Sequence, residues 1–222
     1  MWKANRWLVV IVVVLMLVVG SSQVSAGEPW ALILACDPFD NLPMVEQEMW
    51  DVMEILEPVF MSIPGGSYNK YNLIWSLKVS EVWHFAGHGS RNWYGKNWLL
   101  AGDEAPVYGD DIPPLTVQRW PQSEYDHMTF AFANACHSGI DSFWVWVKTL
   151  PDGFIGQGAD CYLGWDDAVF DTAAYLYAVT FYDLAITNEW SISTTRTETE
   201  DLVGTPGANS LLYGDGSVTL IL

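Results

Sequence analysis

Two short stretches of this sequence carry side chains able to do covalent chemistry. One reads Val82-Trp-His-Phe-Ala-Gly-His88-Gly89-Ser90. The other reads Phe130-Ala-Phe-Ala-Asn134-Ala135-Cys136-His137-Ser138-Gly139. A thiolate is a strong nucleophile, and a nearby imidazole helps lower the thiol pKa and protonates a departing amine. A Cys and a His that meet can therefore transfer an acyl group, which makes Cys136 the candidate nucleophile and His88 its general acid and base. The small residues Gly89 and Ala135 let a peptide backbone approach. Backbone N–H groups at Gly89 and Cys136 are expected to face the developing oxyanion.

The remaining reactive residues give weaker signals. His84 stands four before His88, and with His137 it raises a zinc metallohydrolase as a distant alternative. That spacing puts two His on one face of a helix, whereas in a strand they lie ~13 Å apart. His84 is thus expected to pack against the layer that covers the sheet, and His127 to lie in a loop. Cys36 and Cys161 read as buried thiols acting as small hydrophobes. Three cysteines in an exported chain leave at least one thiol unpaired within it. Asp103, Glu104, Asp110 and Asp111 raise calcium as a ligand, but their spacing fits no calcium loop, and an acidic surface loop is the default. No other cofactor is expected.

Positioning two reactive stretches requires a sheet. Compact apolar runs at 30–36, 81–86, 128–135 and 161–165 read as buried strands, and 98–102 as a small one. Apolar residues recur at helical spacing over 44–60 and again over 171–187, so both read as amphipathic helices. Residues 64–67 punctuate, 71–78 form a short element of undetermined type, and 103–125 read as surface loop. The stretch 189–208 reads as a polar, Thr-rich tail, and 211–222 as strand, turn and strand. Strands alternating with helices predict an α/β domain with a mostly parallel central sheet. In such sheets ligands bind outside the carboxyl ends of the strands, where both reactive stretches end.

Composition bounds the rest. The chain has 222 residues, 50% of them hydrophobic, with 9 Lys+Arg against 27 Asp+Glu and a net charge of -18. No basic stripe is available to neutralise phosphates, so nucleic acid is excluded as a partner, and an anionic membrane surface is disfavoured. At the N-terminus, Lys3 and Arg6 precede an apolar run from residue 7 to 19 and a small-residue tail ending at Ala26. This reads as a signal peptide, residues 1–26, cut before Gly27, with a signal anchor as the alternative. Losing Lys3 and Arg6 leaves seven basic residues against 27 acids, a charge of -20 on an exported domain spanning residues 27–222. Removal of the leader leaves no membrane attachment.

An apolar strand ending in His-Gly, followed some 45 residues later by one ending in Ala-Cys, resembles the caspase-like (clan CD) cysteine peptidases. The local forms HFAGHG and ANACHSG are most similar to the CHAT and gingipain-like branches. Two further echoes are Gly158-Ala-Asp160-Cys161-Tyr-Leu-Gly-Trp165 and the terminal Leu212-Tyr-Gly-Asp-Gly-Ser-Val-Thr-Leu220. The resemblance spans residues 30–222. It implies a three-layer α/β/α caspase-hemoglobinase fold and a Cys-His dyad of Cys136 and His88, with Gly89 at the oxyanion hole and protein or peptide substrates. Clostripain-like members carry an acid two residues before the Cys. Here that substrate-facing position is Asn134, so specificity for Arg or Lys is not implied, and Asp160 and Trp165 are further candidates for substrate contact. An alternative from another class is a catalytically silent module whose Trp93, Trp98, Trp120, Trp144 and Trp146 bind glycans or proteins.

Overall fold

A computed structural model describes residues 29–66, 68–115, 128–142, 144 and 146–221 of the chain. The signal-peptide segment, Trp120 and His127 lie outside these residues. The central sheet contains β1 (Trp30–Cys36), β2 (Met61–Gly66), β3 (Val82–Gly87), β7 (Phe130–Asn134), β8 (Cys161–Trp165) and β9 (Ser210–Gly214). Their order is β2-β1-β3-β7-β8-β9. All neighbours pair parallel except β8 and β9, which are antiparallel. Three short strands, β4 (Gly89–Arg91), β5 (Asn97–Leu100) and β6 (Pro106–Tyr108), form a separate antiparallel sheet.

The parallel strands are buried on both faces, which is why they read as unbroken apolar runs rather than alternating ones. On one face, Ala31, Ile33, Val82, Phe130, Phe132, Leu163 and Trp165 pack against helices α1 (Val45–Leu56), α4 (Asp171–Asn188) and α5 (Ile192–Val203). Helix α1 presents Val45, Met49, Val52 and Leu56 to that core, the spacing of a single helical stripe. On the other face, Leu32, Leu34, Trp83, Phe85 and Tyr162 meet helices α2 (Lys70–Ser76) and α3 (Leu150–Gly156) and the small sheet. The result is an α/β/α sandwich in which β3 and β7 are adjacent at the centre. Their carboxyl ends therefore open on the same rim.

Several elements differ from the sequence expectation, each for a local reason. The undetermined stretch 71–78 is helix α2, started by the Asn69 side chain accepting from the Asn72 N–H. The polar tail holds helix α5: Ser191 caps its start, Gly204 ends it, and Ile192, Thr195 and Thr199 are buried. Helix α3 carries two glycines and Pro151 but is fixed by a capping box between Thr149 and Asp152. The terminal pair of strands reduces to β9 alone, and the following segment touches the rest through a bridge of Ser191 with Thr219. No helix among the described residues is long and apolar enough to cross a membrane.

Candidate active site

Cys136 follows β7 by two residues, and His88 and Gly89 follow β3 directly. The two strand ends touch. A Cβ placed on Gly89 would collide with the Cys136 carbonyl oxygen and stand 3.0 Å from the Ala135 Cβ, so only glycine lets these backbones come so close. Cys136 lies outside the strands, and no described backbone carbonyl accepts from its N–H.

His88 is half-buried and held from the β1 side. Its Nε2 lies 3.1 Å from Asp37 Oδ1 and 2.9 Å from Asn41 Oδ1, and the Phe39 ring stands edge-on to the imidazole at 5.3 Å. Both contacts use the same ring nitrogen, Nε2. Burial pushes the Asp37 carboxyl up, but the Leu42 N–H, the His88 imidazole and the Asn41 N–H outweigh it, and the pKa is lowered. Asp171 stands close by with its Oδ2 accepting from the Met44 N–H at 3.0 Å. Burial, reinforced by repulsion from Asp37, raises its pKa against the Met44 bond and the attraction of His88.

The turn after Cys136 is tied down on every side. The buried Asn97 on β5 donates its amide to the carbonyls of His137, Ser138 and Ile140 at 3.0, 2.8 and 3.3 Å, and its Oδ1 accepts from the Leu150 N–H. Tyr162 and Tyr213 hydroxyls donate to Ser138 and Gly139 carbonyls at 2.9 and 2.6 Å. Gly139 presses on β8, where its Cβ would stand 2.6 Å from the Gly164 carbonyl carbon. Sequence reading missed Asn97 and both tyrosines, since nothing local in Lys96-Asn-Trp98 announces a partner 40 residues away. His137 adopts a left-handed conformation (φ 57°), with its Nδ1 at ion-pair distance, 3.5 Å, from Asp167 Oδ1. The Cys136 Sγ itself receives the Val169 N–H at 3.4 Å and lies 3.9 Å from the Val169 carbonyl.

The substrate-contact candidates do not gather here. Asn134 is 4% exposed and points into the helical layer, donating to Glu48 Oε1 at 2.7 Å and Ala174 O at 3.0 Å and accepting from the Trp165 indole at 2.7 Å. Trp165 is fully buried. Both are interior groups because their strand face is covered by α1 and α4. Asp160 precedes β8, at the opposite end of the sheet from Cys136. His84 is buried where expected, between Glu48 Oε1 at 2.8 Å and the Tyr182 hydroxyl at 3.3 Å, away from His88. Cys36 and Cys161 are buried and burial drives each thiol up to about 12. Asp110 and Asp111 pair with Lys96 and Lys70, and Asp103 accepts from the Lys70 N–H. Among the described residues no group of three or more His, Cys, Asp or Glu is placed to hold a metal.

No protein-family model matches this chain, and no curated protein matches its sequence. Solved structures do resemble it. The separase–securin complex of Saccharomyces cerevisiae aligns with a TM-score of 0.59 at 15% identity, covering 90% of this chain and 13% of that one. The Arg-specific cysteine proteinase gingipain R aligns with a TM-score of 0.56 at 12% identity, covering 86% of this chain and 47% of the other. The chain therefore has the caspase-like fold. It spans less than half the length of either of these two proteins.

Proposed function

We propose that this protein is a caspase-like cysteine endopeptidase, nearest in its local motifs to the CHAT and gingipain-like branches. The observation that carries the reading is the contact of Gly89 with Cys136, which joins the two reactive strand ends at one rim. In the reaction the Cys136 thiolate attacks a peptide carbonyl carbon. The oxyanion so formed accepts from the Gly89 and Cys136 N–H groups. Collapse breaks the C–N bond, and the leaving amine takes a proton from the His88 imidazolium. Water then attacks the thioester, giving its proton to His88 and releasing the acid and the thiol. The reading includes export, with residues 1–26 removed before Gly27 and the domain 27–222 working outside the cytoplasm.

A peptidyl acyloxymethyl ketone is expected to label the wild-type protein at Cys136 and to leave Cys136→Ala unlabelled. His88→Ala should slow labelling by on the order of 10²-fold or more. Equal labelling of wild type and Cys136→Ala would overturn the assignment. Export predicts a secreted form whose first residue is Gly27.

A further inference from the structure

One loop, residues 166–170 between β8 and α4, touches both the candidate nucleophile and the residue after it. Val169 brings its N–H to 3.4 Å and its carbonyl to 3.9 Å from the Cys136 Sγ. Among the described residues no hydrogen bond joins that sulfur to His88. The thiol therefore rests against the loop rather than against the imidazole. Uncharged bonds fasten the strand end and loop to the turn after Cys136. The His137 N–H donates to the Asp167 carbonyl at 3.0 Å, and the Gly139 N–H to the Trp165 carbonyl at 2.8 Å. The Trp165 N–H donates to the Ser138 hydroxyl at 3.1 Å.

One further contact between loop and turn differs in kind. His137 Nδ1 is buried, has no hydrogen-bond partner among the described residues, and lies 3.5 Å from Asp167 Oδ1. A lone pair on that nitrogen faces a carboxylate, whereas an N–H there pairs with it. We propose that His137 is a proton-operated latch, pairing with Asp167 when it takes a proton at Nδ1 and so seating the 166–170 loop on the Cys136 sulfur. It is a positioning residue, acting on the thiol through the loop and touching no substrate. Loss of the proton loosens the loop and frees the sulfur to reach His88. An ordinary histidine gains its proton between about pH 8 and pH 5, so the thiol is restrained on the acid side. By linkage, a seated loop holds that proton more tightly. The bearing on catalysis rests on the peptidase reading, since it needs Cys136 as nucleophile.

The neighbouring groups leave this pair as the one that switches. Asp166 is already held by the Asn209 backbone N–H and side-chain amide at 2.8 and 2.7 Å. From β5 the uncharged Asn97 reaches the His137 carbonyl. From β8 and β9 the Tyr162 and Tyr213 hydroxyls reach the next two carbonyls, and burial raises both tyrosines so that they stay protonated. The turn itself carries Cys136 and the exposed Asp141. Beyond the thiol stands His88 with Asp37 and Asp171 near it. These groups are common to wild type and to the variants below, so a ratio of rates cancels their titration.

The test follows iodoacetamide alkylation of Cys136 in the full chain by mass spectrometry, from about pH 5 to about pH 8. Wild type is compared with His137→Asn, whose side chain suits a left-handed backbone, and with Asp167→Asn, which keeps an acceptor for the Ala168 N–H. At the alkaline end the three should react alike. At the acid end wild type should be about twofold to fivefold slower than either variant, and about 1 M salt should erase the gap. A wild-type-to-variant ratio that stays constant across the range would overturn the latch. So would a wild type faster than His137→Asn in acid, the sign expected if the imidazolium acted on the thiol directly through space. If the profile has the expected sign but no peptidyl ketone labels Cys136, the latch stands and the peptidase reading falls.

Discussion

Asp37 and Asp171 stand beside one imidazole with opposite titration behaviour. The Asp37 carboxyl is lowered below its ordinary 3.8, so the stability it supplies is present above that pH and is lost as pH falls through its folded value. Asp171 is raised, so the native state holds its proton more tightly, and stability declines as pH rises from 3.8 through its folded value. Asp171→Asn, whose Oδ1 can still accept from Met44, should remove that decline. Urea midpoints of wild type and variant are expected to diverge in the variant's favour between about pH 4 and neutrality. Asp37→Asn should show the opposite sign and in a lower window, the wild type's advantage shrinking as pH falls below about 3.8. Gly89→Ala addresses the other side of the site. Its Cβ would collide with the Cys136 carbonyl, so both N–H groups proposed to hold the oxyanion must shift, and kcat should fall on the order of 10²-fold with the fold retained. Circular dichroism beside a single-turnover assay separates the two effects.

At the scale of elements, the turn after Cys136 is only as fixed as its supports. Asn97→Ala leaves the His137 and Ile140 carbonyls and the Leu150 N–H without their partner, while Ser138 keeps the Tyr162 hydroxyl, which should cost about 2–4 kcal/mol and lower kcat roughly tenfold. Leu99→Ala, in the same strand and also buried, should cost a similar amount while sparing kcat, because it leaves those bonds intact. Local pattern was enough to find β1, β3, β7, β8, α1 and α4, since their apolar runs and stripes are long. Cys136, His88 and Gly89 stood out as candidates because they sit where apolar runs stop. Pattern failed where long-range contacts decide. Helix α5 is Thr-rich and owes its place to burial of Ile192, Thr195 and Thr199. Asn134 and Trp165 were misjudged because alternation along a strand does not say which face a helix will cover. Asp160 was misjudged because proximity in sequence to β8 hides which end of the strand it occupies.

The whole molecule carries 27 acids against nine basic side chains, and Asp37, Asp40, Asp167 and Asp171 lie on segments flanking the thiol. A field of that sign draws cationic peptides toward the cleft and turns acidic ones away. Raising ionic strength from about 10 mM to about 300 mM should lower kcat/KM for a cationic peptide severalfold and raise it for an acidic one. Matched peptide pairs in a salt series check the sign. At one of its two edges the main sheet ends in β2, whose Pro64 sits opposite Ile33 with no N–H of its own. Proline on an outer strand denies a second copy the backbone ladder on which fibrils grow. Crowded together at high concentration, these molecules can add no further strand on that flank, and self-association there has to be made by side chains.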